Sequence, residues 1–276
     1  MLRIGYHVSI AKSMDLAFDR ASALGCTAMQ IFITNPRGWA SRKVARDEKE
    51  RFLQKQSGTG IEVVAHMPYL PNIASSNPLI FKKSVNALME NLAKCNDLGI
   101  GYLVAHMGSH MGMGRHRGLD NILKAISMAE QEMGSTRLLL ENESGHMNAV
   151  GADISDLSYI YENAHSKGIG FCLDTCHLYA AGYDITRRSV LENIDDELGW
   201  DKVHAIHFND SKKPLGSRLD RHDNIGYGHI GIAGFRKFLS YDKIPAKPLI
   251  LETPSRAGLD EGEELRSVIK IYESLK

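Results

Sequence analysis

The fold class predicted by this sequence is α/β, a single (β/α)8 barrel, and three observations predict it. Short apolar runs alternate eight times with longer amphipathic stretches. The runs are rich in Val, Ile and Leu, as strands buried on both faces of a parallel sheet must be. The 276 residues match the roughly 250 typical of such a barrel, so one domain, 1–276, needs no linker.

In order, the strand-like runs are Arg3 to His7, Ala28 to Ile33, Glu62 to His66, Tyr102 to His106, Leu138 to Glu141, Gly170 to Asp174, Val203 to His207 and Pro248 to Glu252. Helical patterns lie between them. In the stretch from Asn77 to Leu98, Asn77 can cap, Pro78 suits the first turn and Gly99 ends the helix, while Val85, Leu88, Leu92 and Cys95 repeat at helical spacing. The segment SRKVARDEKERF from Ser41 carries the mixed charges of a solvated helix face. An open doubly wound sheet is the alternative, but its phosphate-binding form needs GxGxxG after the first strand, and this turn reads HVSIAKS.

Composition narrows the function. A 43% hydrophobic share supports a sizeable core, no apolar run approaches a membrane span, and the start MLRIGYHVSI lacks a basic region leading into a long apolar segment. A cytoplasmic protein without a membrane partner is expected. Thirty-three basic and 33 acidic side chains give a formal charge of zero, so any positive surface is local or comes from bound metal. Cys26, Cys95, Cys172 and Cys176 are too sparse for a disulfide framework and are read as reduced thiols. The pair Cys172 and Cys176 in FCLDTCH fits a thiolate metal pair or, more plainly, a buried apolar residue and a loop thiol.

The chemistry stands at the strand ends. Six runs finish in a metal-competent side chain: His66, His106, Glu141, Asp174, His207 and Glu252. In a parallel barrel those ends share one face, so residues distant in sequence converge. Each alone reads as an ordinary strand end; six together place charge that needs a compensating partner, and metal is the economical one. His177 follows Asp174 closely enough to face the same pocket, and Asp220 and His222 alternate in RLDRHD so that both can point one way. The segment from Asn209 to Ile230 has little regular pattern, which suits either a functional loop or a mobile polar one. His and carboxylate donors suit zinc, with Mn or Fe as alternatives. Nine donors exceed one ion and fit two or three, and paired ions are a recurring device for hydrolysing phosphate esters. On an alternating strand His204 faces away from His207 toward the helices, and His7, ending the first strand, is placed to orient a ligand.

These residues lie in segments that together resemble the endonuclease IV family of apurinic/apyrimidinic (AP) endonucleases: HVS, AHMPYLPNIAS, LVAHMGSH, LLLENESG, CLDTCHLYAAGYD, IHFNDSK, GSRLDRHDNIGYGHIG and LILETP, essentially the whole chain. The resemblance implies a TIM barrel with three zinc ions, Mn2+ being possible at some sites. It implies cleavage of duplex DNA on the 5′ side of an abasic site, giving a 3′-hydroxyl and a 5′-deoxyribose phosphate, with 3′-end trimming and damaged-nucleotide incision as further activities. Position by position, it implies that His66, His106 and Glu141 hold one ion, that Glu141 bridges to a second held by Asp174, His207 and Glu252, and that His177, Asp220 and His222 hold the third. Glu141 is on this basis the catalytic residue. Arg37, in TNPRGW, and Tyr69, in HMPYL, would enter the DNA at the lesion; Gly38 stands where family members often carry glutamine. Lys12, Arg115, Arg117, Lys212, Lys213 and Arg218 are read as lying in strand-end loops and suit phosphate contacts. A monomer is expected. The rivals are a metal-dependent sugar isomerase on a similar barrel, which leaves His177, Asp220 and His222 without work, and a DNA-binding module without catalysis.

Overall fold

A computed structural model describes residues 2–35, 38–39 and 43–276. Along the chain come β1 (Ile4–Tyr6), α1 (Leu16–Leu24), β2 (Ala28–Phe32), α2 (Arg46–Thr59), β3 (Glu62–His66), α3 (Pro78–Asp97), β4 (Tyr102–His106), α4 (Arg115–Met133), β5 (Arg137–Glu141), α5 (Ile154–Asn163), β6 (Ile169–Asp174), α6 (Thr175–Ala181), α7 (Arg188–Glu197), β7 (Val203–His207), β8 (Asp210–Ser211), β9 (His222–Asp223), α8 (Gly231–Leu239), β10 (Leu249–Leu251) and α9 (Glu261–Glu273). Eight strands form one parallel sheet in the order β1-β10-β7-β6-β5-β4-β3-β2. Its two edges meet through a His7↔Gln30 bridge and the bonds Val8 N→Gln30 O (2.8 Å) and Thr27 N→Ile4 O (2.9 Å), which close the barrel.

The expected strands are all present, and β3, β4 and β7 have the predicted bounds. β10 is shorter at both ends: Pro248 has no N–H to give the ladder, and Glu252 spends its N–H on the side chain of Asn209 (2.8 Å). Helix α3 begins as the sequence predicts, with the Asn77 carboxamide accepting from Leu79 N (3.0 Å) and Ile80 N (3.2 Å). Gly99, at φ 63°, ends it in a left-handed turn.

The core divides in two. Outward-facing strand residues such as Met29, Ile31, Leu103, Leu138, Phe171 and Ile206 pack with the helices. Inside the barrel, Val64, Val104, Leu139, Cys172 and Ala205 form a separate apolar layer, with Tyr102 packed beneath it. Strand alternation puts polar side chains one step further along, two residues on: His66, His106, Glu141, Asp174 and His207. The apolar layer is thus the base on which these polar groups stand.

His204 corrects the alternation rule. The β6–β7 register slips between Phe171 and Cys172, pairing Phe171 with Val203 but Cys172 with Ala205. The extra residue turns into the barrel: the His204 ring stacks on Tyr102 at 5.6 Å, and a Cβ on Gly170 would lie 2.4 Å from it. Burial, followed by Arg137 and Lys247, lowers its pKa to about 4, so it is a neutral part of the barrel's base. All four cysteines are free and buried; Cys176 lies in α6 and not in a loop. Among the described residues no helix is long and apolar enough to cross a membrane.

Candidate metal centre

All nine donors predicted by the sequence come together at the carboxyl ends of the strands. His66 and His106 each aim Nε2 at Oε2 of Glu141, at 3.2 and 3.4 Å. Nδ1 of His207 faces Oε1 of Glu141 (2.9 Å), Oε2 of Glu252 (3.3 Å) and Oδ2 of Asp174 (3.9 Å). Asp174 also starts helix α6, its Oδ1 accepting from His177 N at 2.8 Å. That cap turns the chain back, so His177 reaches Asp220 with Nε2 (3.4 Å). The antiparallel pairing of β8 with β9 carries His222 over the rim, where its Nε2 lies 3.3 Å from Asp220 and 3.5 Å from Asp174.

Donor atoms within 4.8 Å of one another fall into the sets His66–Glu141–His207, Glu141–Asp174–His207–Glu252 and His177–Asp220–His222. A fourth set joins the buried Cys176 to Asp174 and His222, and in the metal-free chain burial raises that thiol to about 12. The loop carrying Asp220 and His222 is pinned at its end: the buried Asp210 carboxylate accepts from the N–H groups of Gly226, Gly228 and Ile230 at 2.9–3.0 Å.

Hydrogen bonds behind the rings settle which nitrogen each imidazole offers. Nδ1 of His66 donates to Met67 O (2.6 Å), that of His177 to Asn142 O (2.9 Å), that of His222 to Glu252 O (3.3 Å) and that of His106 to the Glu143 carboxylate (3.2 Å). These oxygens only accept, so each ring carries its proton there and turns a lone pair of Nε2 toward the carboxylates. Lone pairs opposed to carboxylate oxygens at 3.2–3.5 Å repel unless a cation lies between them. His222 Nε2, buried without a hydrogen-bond partner, is one such atom. Among the described residues, the ion pairs of Glu141, Asp174, Asp220 and Glu252 run to histidines and to no Lys or Arg. The donor set therefore fits divalent cations, which would fill the cationic role that no lysine or arginine takes.

In the metal-free chain protons answer the same field. Burial opposes charge on His106, yet Glu141 and Glu143 raise its pKa to about 9. His177 is raised against burial by Asp174 and Asp220, and His207 against burial by groups that include Glu141 and Glu252. Burial prevails at His66 and lowers it. Glu141 is held well below the ordinary range, since His106 and His207 outweigh its burial; Asp220 falls to about 2 as His177 and His222 outweigh desolvation.

Sequence reasoning missed the residues that fix these donors. Asn142 Oδ1 accepts from Asp174 N (2.7 Å), Asn209 Nδ2 donates to Asp174 Oδ2 (2.7 Å), and Glu143 orients His106. Gln30, fully buried, reaches three of the site's side chains. Its signal was available: in AMQIF it is a polar residue on the inward register of a strand.

Tyr69 stands over the cluster, 59% exposed, with ring centroids 5.6 Å from His66 and 5.7 Å from His106. Arg37 lies outside the described residues. Lys12, Lys212, Lys213 and Arg218 are exposed in loops of this face. Arg115 and Arg117 instead lie in the first turn of α4, and Arg115 is engaged by Asp156 at 2.6 Å. A cleft of about 700 Å3, lined by Tyr69, Phe32, His7, Arg20 and Leu24, reaches the cluster at Glu252.

Comparison with known proteins agrees with this site. Residues 18–275 match the family described as "Xylose isomerase-like TIM barrel". A protein of Methanoculleus marisnigri named "Probable endonuclease 4" is 44% identical over 92% of this chain and 93% of its own length. The chain belongs to the endonuclease IV family. Another relative, of Methanosphaerula palustris and with the same name, is 42% identical over 98% of both chains. The crystal structure of endonuclease IV from Thermus thermophilus superposes with a TM-score of 0.85 at 35% identity, covering 99% of this chain and 98% of that one. A D-tagatose 3-epimerase-like protein reaches a TM-score of 0.74 at 18% identity, covering 98% of this chain and 97% of its own, which makes the barrel common to both and nothing more.

Proposed function

We propose that this member of the endonuclease IV family is a zinc-dependent AP endonuclease that hydrolyses the phosphodiester 5′ to an abasic site in duplex DNA. The single observation that carries the reading is the convergence of nine donors at one end of the barrel: eight fall into three adjoining sets, two of which share the buried Glu141, and the ninth, His106, faces Glu141 at 3.4 Å. His66, His106 and Glu141 would hold one ion, Glu141, Asp174, His207 and Glu252 a second, and His177, Asp220 and His222 a third. When bound, such ions supply Lewis-acid polarisation of the phosphoryl group, a more acidic water and charge compensation at the leaving oxygen.

The protein's own part is positional. Glu141 offers both oxygens, one toward His66 and His106 and the other toward His207 and His177, so it ties two sets into one rigid unit. Tyr69, exposed above the cluster, would fill the gap that an extruded nucleotide leaves; an abasic nucleotide is unpaired and costs least to extrude. We read Arg37 as its partner in filling that gap, and the exposed loop lysines and arginines as phosphate contacts that position without reading sequence. Because one barrel carries all nine donors, we read the protein as a single-domain monomer, working in the cytoplasm.

Purified protein is expected to contain close to three zinc ions and to nick a duplex with one abasic site while leaving ketose and aldose sugars unchanged. Sugar turnover without nicking would transfer the assignment to the isomerase class. Tyr69→Ala is expected to reduce the preference for abasic over intact duplex by about tenfold, the scale of one stacking contact of 1–3 kcal/mol, with unchanged zinc content. Competition binding between the two duplexes measures it, and an unaltered ratio would remove Tyr69 from lesion recognition.

A further inference from the structure

We propose that Gln30 is a positioning residue of the metal centre: its carboxamide selects the nitrogen that His207 offers to the cluster and steadies the Glu252 carboxylate beside it. The inference rests on the reading that His207 and Glu252 hold an ion. Gln30 lies on β2, fully buried, where the barrel closes. Its Nε2 is 2.7 Å from Glu252 Oε1 and 2.9 Å from Nδ1 of His7. Its Oε1 is 2.8 Å from Nε2 of His207.

The chemistry of these partners fixes the amide without ambiguity. A carboxylate can only accept, so the NH2 group must face Glu252, and its second hydrogen serves His7. The carbonyl then faces His207, whose Nε2 must carry the proton. With Nε2 holding its proton, Nδ1 is the nitrogen His207 would offer an ion, and it is the one that faces Glu141, Asp174 and Glu252. The other four imidazoles present Nε2, because backbone or carboxylate acceptors hold their Nδ1 protons. The exception therefore has a local cause. One uncharged side chain on β2 sets the tautomer of a residue on β7 and restrains a carboxylate at the end of β10.

Two variants separate this role from simple space filling. Gln30→Met keeps the approximate volume and removes both contacts; Gln30→Glu keeps an acceptor for His207 but sets a second carboxylate against Glu252. In zinc-loaded full-length protein, Gln30→Met is expected to lose zinc to excess chelator about 10–100-fold faster, the range for partners that orient metal ligands. Nitrogen NMR of histidine-labelled, zinc-loaded protein, with the His207 signal assigned by its absence in His207→Gln, should find that imidazole protonated on Nε2 in the parent, a signature lost in Gln30→Met. Gln30→Glu should keep that signature and still release zinc faster. Parent-like retention and an unchanged His207 signal in Gln30→Met overturn the proposal; should that variant fail to fold, parent-like retention in Gln30→Glu does so. A parent that binds no zinc overturns the metal reading and this proposal together, whereas equal retention in parent and variants removes only the role of Gln30.

Discussion

Glu141→Gln is expected to cut incision of an abasic-site duplex by about 10³-fold or more while duplex binding persists. The size follows from the geometry. Glu141 is fully buried and is the carboxylate shared by two donor sets, facing four imidazoles at 2.9–3.4 Å. An amide of the same shape keeps the packing but removes the negative charge and one acceptor oxygen, so two adjacent ions of the proposed centre would lose their common ligand. Several kcal/mol of transition-state stabilisation are at stake in such sites, and each 1.36 kcal/mol is a tenfold rate. Single-turnover incision, with metal content measured on the same sample, tests it. Parent-like rates at parent-like metal content would mean that Glu141 is no bridge.

Removing the metal should reverse the pH dependence of stability. In the metal-free protein His106 titrates near 9, above its unfolded value of about 6.5, and His177 and His207 are raised as well. A raised histidine contributes stability that is fully present below the unfolded pKa and lost as pH rises through the folded one. The chelated protein should therefore melt at lower temperature at pH 9 than at pH 6.5, by about 5–10 °C if these groups contribute a few kcal/mol. Metal binding needs the same imidazoles unprotonated, so loaded protein gains metal-linked stability over that interval. Thermal melts at the two pH values, with and without chelator, give the comparison. Parallel slopes in both states would contradict the assignment of these histidines to the ions.

The fold and the donors were legible in the sequence for one reason. Parallel strands put their last inward residues on one face, so the ends EVVAH, YLVAH, LLLE, FCLD, HAIH and LILE already named six of the nine donors. Asp220 and His222 were legible from alternation within RLDRHD, although the two-residue ladder that carries His222, β8 with β9, has no sequence signature. The inward turn of His204 was illegible, because a register slip is a property of two strands together and leaves no mark on either. Gln30, Asn142 and Asn209 were passed over for a different reason: an uncharged amide makes no electrostatic demand that a reader of charges would notice. Glu143 was hidden by standing two residues after a stronger candidate. The membership of Arg37 in the site rests on resemblance, since it lies outside the described residues.

The apolar layer of Val64, Val104, Leu139, Cys172 and Ala205 has a consequence for traffic through the centre. It seals the cluster from the opposite mouth of the barrel with a low-dielectric stopper, so water, protons and ions arrive and depart from the side on which Tyr69 stands. That is also the side a duplex would cover. Occupancy by substrate and exchange of the cluster's contents would thus compete for one doorway, and the enzyme would be least able to lose its ions while it is working.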